Sequence, residues 1–215
     1  MAEPAPRRGA GRVYGVVLAA GSSSRLGRPK QLLPLGGRPL LAHTLAHARD
    51  SLLDGVYVVL GHEARAIERQ VEPAALGARV VVNDRHGEGQ STSLHAGLAA
   101  LPRDAAAAVF ILGDQPLVGP DVLDALVATY RATGGPIVQP VYAGRRGNPV
   151  LFDRALWSEL LTIEGDQGAR GVLRAHADLV REAPVPDIPY PADVDTPADY
   201  ERLRARFEDR RAPGP

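Results

Sequence analysis

The chain has 215 residues, 25 of them basic and 25 acidic, and no cysteine. Zero formal charge offers no basic surface to nucleic acid, and the missing thiols exclude disulfides, thiolate metal sites and a cysteine nucleophile. No apolar run approaches the roughly 20 residues of a membrane span, and the N-terminal arginines precede no apolar signal stretch, so the expectation is a cytoplasmic protein with no membrane partner.

Residues 1–12, rich in Pro, Gly and Arg, read as a disordered tail, and 209–215 as a second one. Val13–Leu18 is an apolar run bounded by glycine and reads as a buried strand. The stretch Leu18-Ala-Ala-Gly-Ser-Ser-Ser-Arg-Leu-Gly-Arg-Pro-Lys30 follows. Its small residues let the backbone turn and approach a ligand, which a side chain at Gly21 would obstruct. Backbone N–H groups, the Ser22–Ser24 hydroxyls, Arg25 and Lys30 suit a triphosphate. Lys30 is the only lysine in the chain. An ammonium is a compact point charge that fits between phosphate oxygens where a guanidinium fork does not; a solvated surface lysine is the plain alternative.

Gln31–Pro39 is extended with a turn at Gly36-Gly37, and Pro39 opens a helix to Asp50. Strands are predicted at Val56–Leu60, Ala78–Val82, Ala106–Leu112 and Leu179–Ala183, with extended segments at Pro136–Tyr142 and Asn148–Phe152. Helices are predicted at 63–71, 90–101, 121–133, 154–161, 168–176 and from Pro197 to Phe207. This alternation, with no repeat and no linker, predicts one domain over 13–208. Its architecture is a three-layer α/β/α, Rossmann-like fold with a mostly parallel central sheet. Ligands in such folds sit beyond the carboxyl ends of the strands. The loops Gly21–Lys30, Arg85–Gln90, Gly113–Pro116 and Asp193–Asp195 converge there.

The usual P-loop spacing and G-x-G-x-x-G are both absent. The loop instead resembles L-A-x-G-x-S-x-R-x-G-x-x-K, the signature of sugar-nucleotide and cofactor nucleotidyltransferases. Asn83-Asp84, Gly87-Glu-Gly-Gln-Ser-Thr-Ser-Leu-His-Ala-Gly97, Leu112-Gly-Asp-Gln-Pro116, Gly147-Asn-Pro-Val-Leu-Phe152, Gly165-Asp-Gln-Gly-Ala-Arg170 and Asp193-Val-Asp-Thr-Pro197 follow in order. Together they resemble the molybdenum cofactor cytidylyltransferases of the MobA-like NTP transferase family over residues 13–205. One departure is Asn148, where histidine is commoner.

The resemblance implies a nucleotidyltransferase fold and a Mg²⁺-dependent transfer of CMP from CTP to the phosphate of a molybdopterin-type cofactor, releasing pyrophosphate. The product would serve a molybdenum hydroxylase or its chaperone, and the protein would be a monomer. Such chemistry is positioning and charge neutralisation. The implied catalytic residues are Arg25, Lys30 and Asp114. The implied nucleotide-binding set is Leu18, Ala19, Ala20, Gly21, Ser22, Ser23, Arg25, Lys30, Gly87, Ser93 and Asp114. Asp114 and Asp195 would hold the metal, and Gln115, Arg146, Asn148 and Arg170 the acceptor. Ala20, where guanylyl relatives carry glycine, would narrow the base pocket toward a pyrimidine.

Plain alternatives stand beside these. Asp114 is also a turn carboxylate beside proline, and Asp195 or Thr196 is also a helix cap with Pro197 in the first turn. His43 and His47 have metal-ligand spacing, but without an adjoining Glu they read as packing. Alternative functions are nucleotidyl transfer to another acid, such as guanylyl transfer, a MobA-like oxidoreductase of small heteroaromatic compounds, and a nucleotide-binding module without turnover.

Overall fold

The computed structural model describes residues 9–185 and 188–211. Strand β1 (Arg12–Ala19) leads into the long loop and a 3-10 turn at Lys30–Leu32. A hairpin of β2 (Pro34–Leu35) and β3 (Arg38–Pro39) then turns at Gly36 and Gly37, both at positive φ. The elements α1 (Leu40–Arg49), β4 (Val56–Leu60), α2 (Ala64–Val71) and β5 (Ala78–Val82) extend the structure to one side of β1. Helix α3 (Gln90–Ala100) returns the chain to β6 (Ala105–Leu112) on the other side. The remainder is α4 (Pro120–Thr133), β7 (Ile137–Tyr142), β8 (Arg145–Arg146), β9 (Val150–Asp153), α5 (Trp157–Leu160), α6 (Arg170–Ala175), β10 (Val180–Pro184) and α7 (Pro197–Arg211).

The sheet runs β10-β7-β9-β6-β1-β4-β5, with β8 hydrogen-bonded to β7. Strands β6, β1, β4 and β5 are mutually parallel. The short β9 runs antiparallel between β6 and β7. The chain leaves β1 in one direction and comes back to it from the other, so β1 and β6 bound a topological switch point. The crevice beyond their carboxyl ends is where such sheets bind ligands.

Residue alternation makes the three layers. Val13, Val17, Val109 and Ile111 face Leu41 and Leu45 of α1, Ile67 of α2, and Leu126 and Tyr130 of α4. Tyr14, Val16, Ala108 and Phe110 face Leu94 and Leu98 of α3, Trp157 and Leu160 of α5, and Val172 of α6. Each such buried Val, Leu, Ile or Phe side chain contributes about 1.5–3 kcal/mol. Gly97 lets α3 sit close to the sheet, because a Cβ there would lie 2.4 Å from Val16 Cγ1.

Several expectations shift at their edges. The helix predicted over 154–161 divides into a 3-10 turn, Arg154–Leu156, and α5. The Asp153 carboxylate caps the first turn, accepting from Ala155 N at 2.8 Å, and also accepts from Tyr130 Oη at 2.7 Å. Residues 1–8 of the expected N-terminal tail lie outside the described residues. Gly9, however, is buried against the end of α4, and Arg12 already pairs with β6, so residues 9–12 belong to the fold. Helix α7 likewise runs past 208 to Arg211, and 212–215 lie outside the described residues. Among the described residues no helix is long and apolar enough to cross a membrane.

Candidate active site

The loop after β1 is held by its carbonyls. Gln31, only 2% exposed, donates through Nε2 to Ala19 O at 2.7 Å and Gly21 O at 3.3 Å. Ala20 O accepts from His62 N at 3.2 Å. Ser23 stands in the left-handed region at φ 54°, and its hydroxyl accepts from Lys30 N at 3.1 Å, closing the loop on itself. The backbone N–H groups of Gly21 and Ser22 have no protein acceptor among the described residues. With the carbonyls turned into the protein, the loop offers donors to the cleft, as an anion site requires. A Cβ at Gly21 would meet no protein atom within 4 Å, so that space belongs to the cleft.

At the end of β6, Gly113 N continues the ladder to Leu18 O at 3.0 Å and sets Asp114 beside the loop. Asp114 is 8% exposed. Lys30 Nζ donates to Asp114 Oδ2 at 2.5 Å and to Asp195 Oδ1 at 3.1 Å, and Arg25 donates to Asp195 Oδ2 at 2.8 Å. Burial alone would lower the Lys30 pKa; the charges and hydrogen bonds of Asp114 and Asp195 outweigh it and hold it above the ordinary value. Lost hydration would raise Asp195, but its bonds to Lys30 and Arg25 prevail and hold its carboxyl low.

The helix-cap alternative for Asp195 is resolved by its neighbours. Thr196 Oγ1 accepts from Asp199 N at 3.2 Å, and Asp199 Oδ2 accepts from Thr196 N at 2.8 Å, a reciprocal cap on α7. Asp195 is thereby left free to face the cations. Buried Val194, packed with Leu33, Leu40 and Leu203, anchors the segment.

The resulting cleft has a volume of about 770 Å³. Of the residues expected at the site, Leu18, Ala19, Ala20, Gly21, Ser22, Arg25, Lys30, Gly87, Ser93, Asp114, Asn148, Arg170 and Asp195 line it. Three do not. Ser23 is occupied within the loop. Gln115 is buried behind the cleft, donating to Asp193 Oδ1 at 2.8 Å. Arg146 lies on β8, ion-paired with Glu182 of β10 at 2.9 Å, because the β7–β8 hairpin directs it along the sheet and away from the cleft.

Sequence reasoning placed the Asp193–Asp195 loop at the site and singled out the Gly165–Arg170 segment, but did not name Gln31, Asp193 or Asp166 as site residues. Asp193 lines the cleft; lost hydration and then the charge of Asp114 push its carboxyl above the ordinary value. Asp166 accepts from Gln90 N, at the start of α3, at 3.1 Å. Gly89, at φ 113°, lies against the Gly165 backbone so closely that a Cβ would come within 2.4 Å of it. The cleft lining combines the ion-paired Lys30, Arg25, Asp114 and Asp195 with the apolar side chains of Phe110, Val150, Phe152 and Leu173. Such a lining can bind a phosphate group through its cations and a flat, largely apolar group against its aromatic side chains.

Comparison with known proteins shows the family. Residues 15–180 match the MobA-like NTP transferase domain. Nicotine blue oxidoreductase of Paenarthrobacter nicotinovorans is 35% identical over 206 residues, covering 89% of this chain and 96% of that protein. Purine catabolism protein PucB of Bacillus subtilis is 32% identical over 201 residues, with 89% and 96% covered. The solved structure of Rv0371C from Mycobacterium tuberculosis, in complex with manganese, superposes with a TM-score of 0.78 at 36% identity, covering 90% of this chain and 98% of that one.

Proposed function

The chain belongs to the MobA-like NTP transferase family, and from that premise we propose that it transfers CMP from CTP to the phosphate of a pterin-type molybdenum cofactor. The observation that carries the reading is Lys30, held between Asp114 and Asp195 with Arg25 alongside, at the mouth of a loop whose free N–H groups face the cleft. An oxygen of the acceptor phosphate attacks the α-phosphorus, and the bond from that phosphorus to the pyrophosphate oxygen breaks. Two anions must meet and a third must leave, so catalysis is positioning and charge neutralisation. The N–H groups of Gly21 and Ser22 orient the triphosphate, while Lys30 and Arg25 receive the charge that develops on the departing pyrophosphate. Arg170 and Asn148, on the opposite wall, hold the acceptor. The methyl of Ala20, buried near Gly61 and His86, narrows the base side of the cleft and supports the choice of a pyrimidine.

The donor set fits a divalent cation. Lys30 Nζ already stands as a cation between two carboxylates, and Mg²⁺ or Mn²⁺ takes one or two carboxylates and completes its shell with phosphate and water. Among the described residues no group of three or more His, Cys, Asp or Glu side chains forms a metal cage. Asp114 and Asp195 would hold the ion, which supplies charge neutralisation on the phosphate oxygens when bound.

Incubation with Mg²⁺ or Mn²⁺, each NTP in turn and molybdopterin, followed by assay of pyrophosphate, tests the reading. Release with CTP that disappears in Asp114→Asn supports it, and release with GTP in preference to CTP overturns the base assignment. The kinship with nicotine blue oxidoreductase gives a second reading, reduction of a small heteroaromatic compound. Oxidation of NAD(P)H by such compounds without pyrophosphate release would establish that reading instead.

A further inference from the structure

The hairpin that carries Asn148 to the cleft is held from behind by a buried phenol. Tyr142, at the end of β7, is 1% exposed, and its Oη donates to Asn148 O at 2.7 Å. Ala143 at φ 45° and Gly144 at φ 80° turn the chain back within two residues, and Tyr142 pairs with Arg145 across the turn. Gly147 N donates to Pro140 O at 3.1 Å, and Gly147 O accepts from the buried Gln139 Nε2 at 3.4 Å. No side chain fits at Gly147, because a Cβ would lie 2.9 Å from Tyr190 Cε2 and 3.0 Å from Tyr142 Cε2. The carbonyls of Gly147 and Asn148 are thus both engaged inside the protein, and Asn148 lines the cleft with a carboxamide that has no protein partner among the described residues. Lost hydration, with Tyr190 and Asp121 nearby, holds the Tyr142 phenol well above its ordinary pKa, so it keeps its proton and remains a donor. Val150 and Phe152 of β9 and Phe110 of β6 line the same cleft, the two rings meeting edge to face with centroids 6.1 Å apart.

We propose that Tyr142 is a positioning residue for the acceptor: its hydroxyl fixes the Asn148 backbone so that the Asn148 carboxamide meets the polar edge of a flat heterocycle laid against Phe110 and Phe152. A carboxamide carries donors and an acceptor on one planar edge. Its complement is a ring lactam, which presents C=O beside N–H and closes two hydrogen bonds with it. The inference rests on reading this wall of the cleft as the acceptor side, and it adds the residue that sets the geometry there. Tyr142 itself does not line the cleft.

The test is equilibrium binding of molybdopterin, and separately of CTP with Mn²⁺, to the full chain by calorimetry. Tyr142→Phe keeps the ring and its contact with Tyr190 and removes only the hydroxyl. It is expected to weaken molybdopterin about fivefold or more and to leave CTP within about twofold. Asn148→Ala is expected to weaken molybdopterin at least as much. Adding Tyr142→Phe to that variant should cost less than about twofold further, because residues that act through one another are not additive. Tyr57→Phe, which removes a hydroxyl bonded to Arg79 away from the cleft, is the control and should change neither ligand. Unchanged molybdopterin binding in Tyr142→Phe overturns the proposal, as does equal weakening of both ligands or a full additional loss in the Asn148→Ala background. Pyrophosphate release in the same samples keeps the two readings apart. Wild-type protein that binds molybdopterin but releases no pyrophosphate from CTP removes the transfer reading, and the binding comparison still decides this inference. Wild-type protein that binds CTP but not molybdopterin overturns this inference and the choice of acceptor, and leaves the nucleotide site standing.

Discussion

Lys30 and Asp114 lie 84 positions apart in sequence and meet at 2.5 Å, the closest of the contacts that join the loop after β1 to the end of β6. The second carboxylate on the same ammonium, Asp195, comes from 165 positions away. Two adjacent parallel strands bring the first pair together, and the start of α7 brings the third member.

This geometry sets a competition. A divalent cation entering between Asp114 and Asp195 must displace Lys30 Nζ or sit beside it, and unlike a nucleotide it brings no negative charge to draw the ammonium aside. At an effective dielectric near 20, two like charges 4 Å apart repel by about 4 kcal/mol. Lys30→Met is therefore expected to raise the affinity of the nucleotide-free protein for Mn²⁺ about tenfold or more, measured by calorimetry. Unchanged affinity would show that the ammonium and the metal do not contend for the same oxygens.

Asp193 is a carboxyl kept at a cost. Its pKa is raised, first by lost hydration and then by the charge of Asp114. A carboxyl that binds its proton more tightly when folded favours folding below its unfolded pKa, and that favour is lost as pH rises through the folded value. At neutral pH the ionised group therefore weakens the fold, and Asp193→Asn should raise the thermal midpoint. Its openness to the cleft keeps the gain below about 1 kcal/mol. Thermal scans should show the two midpoints converging as pH falls below about 4. A variant less stable at pH 7 would assign Asp193 a structural role instead.

Gln31 clamps the loop from behind. Gln31→Leu leaves the carbonyls of Ala19 and Gly21 without their side-chain donor, at a cost of about 1–3 kcal/mol. Gln31 Oε1 has no partner of its own, so its removal offsets part of that cost. Chemical denaturation should register the loss, and KM for the nucleotide should rise several-fold. An unchanged KM would mean that the loop keeps its shape without the clamp.

The two arginines expected at the acceptor separate cleanly. Arg170 lines the cleft, whereas Arg146 is paired with Glu182 outside it. Arg170→Ala is expected to raise the acceptor KM about tenfold, the scale of one lost charge-assisted hydrogen bond. Arg146→Ala should leave kcat/KM within about twofold. Steady-state kinetics on both variants checks the assignment.

The layers were legible because the strands alternate cleanly: Val13 and Val17 fall on one face, Tyr14 and Val16 on the other. The loop was legible because it is contiguous, and strand-end logic was enough to bring Asp114 to it. Gln31 was not, because a glutamine after a lysine reads as an ordinary polar residue until packing buries it. Asp193 had a signal that went unused. With Val194 turned into the core, the residues on either side of it share an outlook, and both are aspartate. Arg146 misled because sequence proximity to Asn148 says nothing about a hairpin that turns the two apart.

That the chain holds a single lysine has a practical side. Among its side chains, amine-directed reagents have one address, and it lies at the centre of the cleft, gripped by two carboxylates. Acylation there reports the state of the site without engineering a label. A ligand that pulls Lys30 from Asp114 exposes or shields one amine, and intact-mass measurement reads the change as one adduct gained or lost.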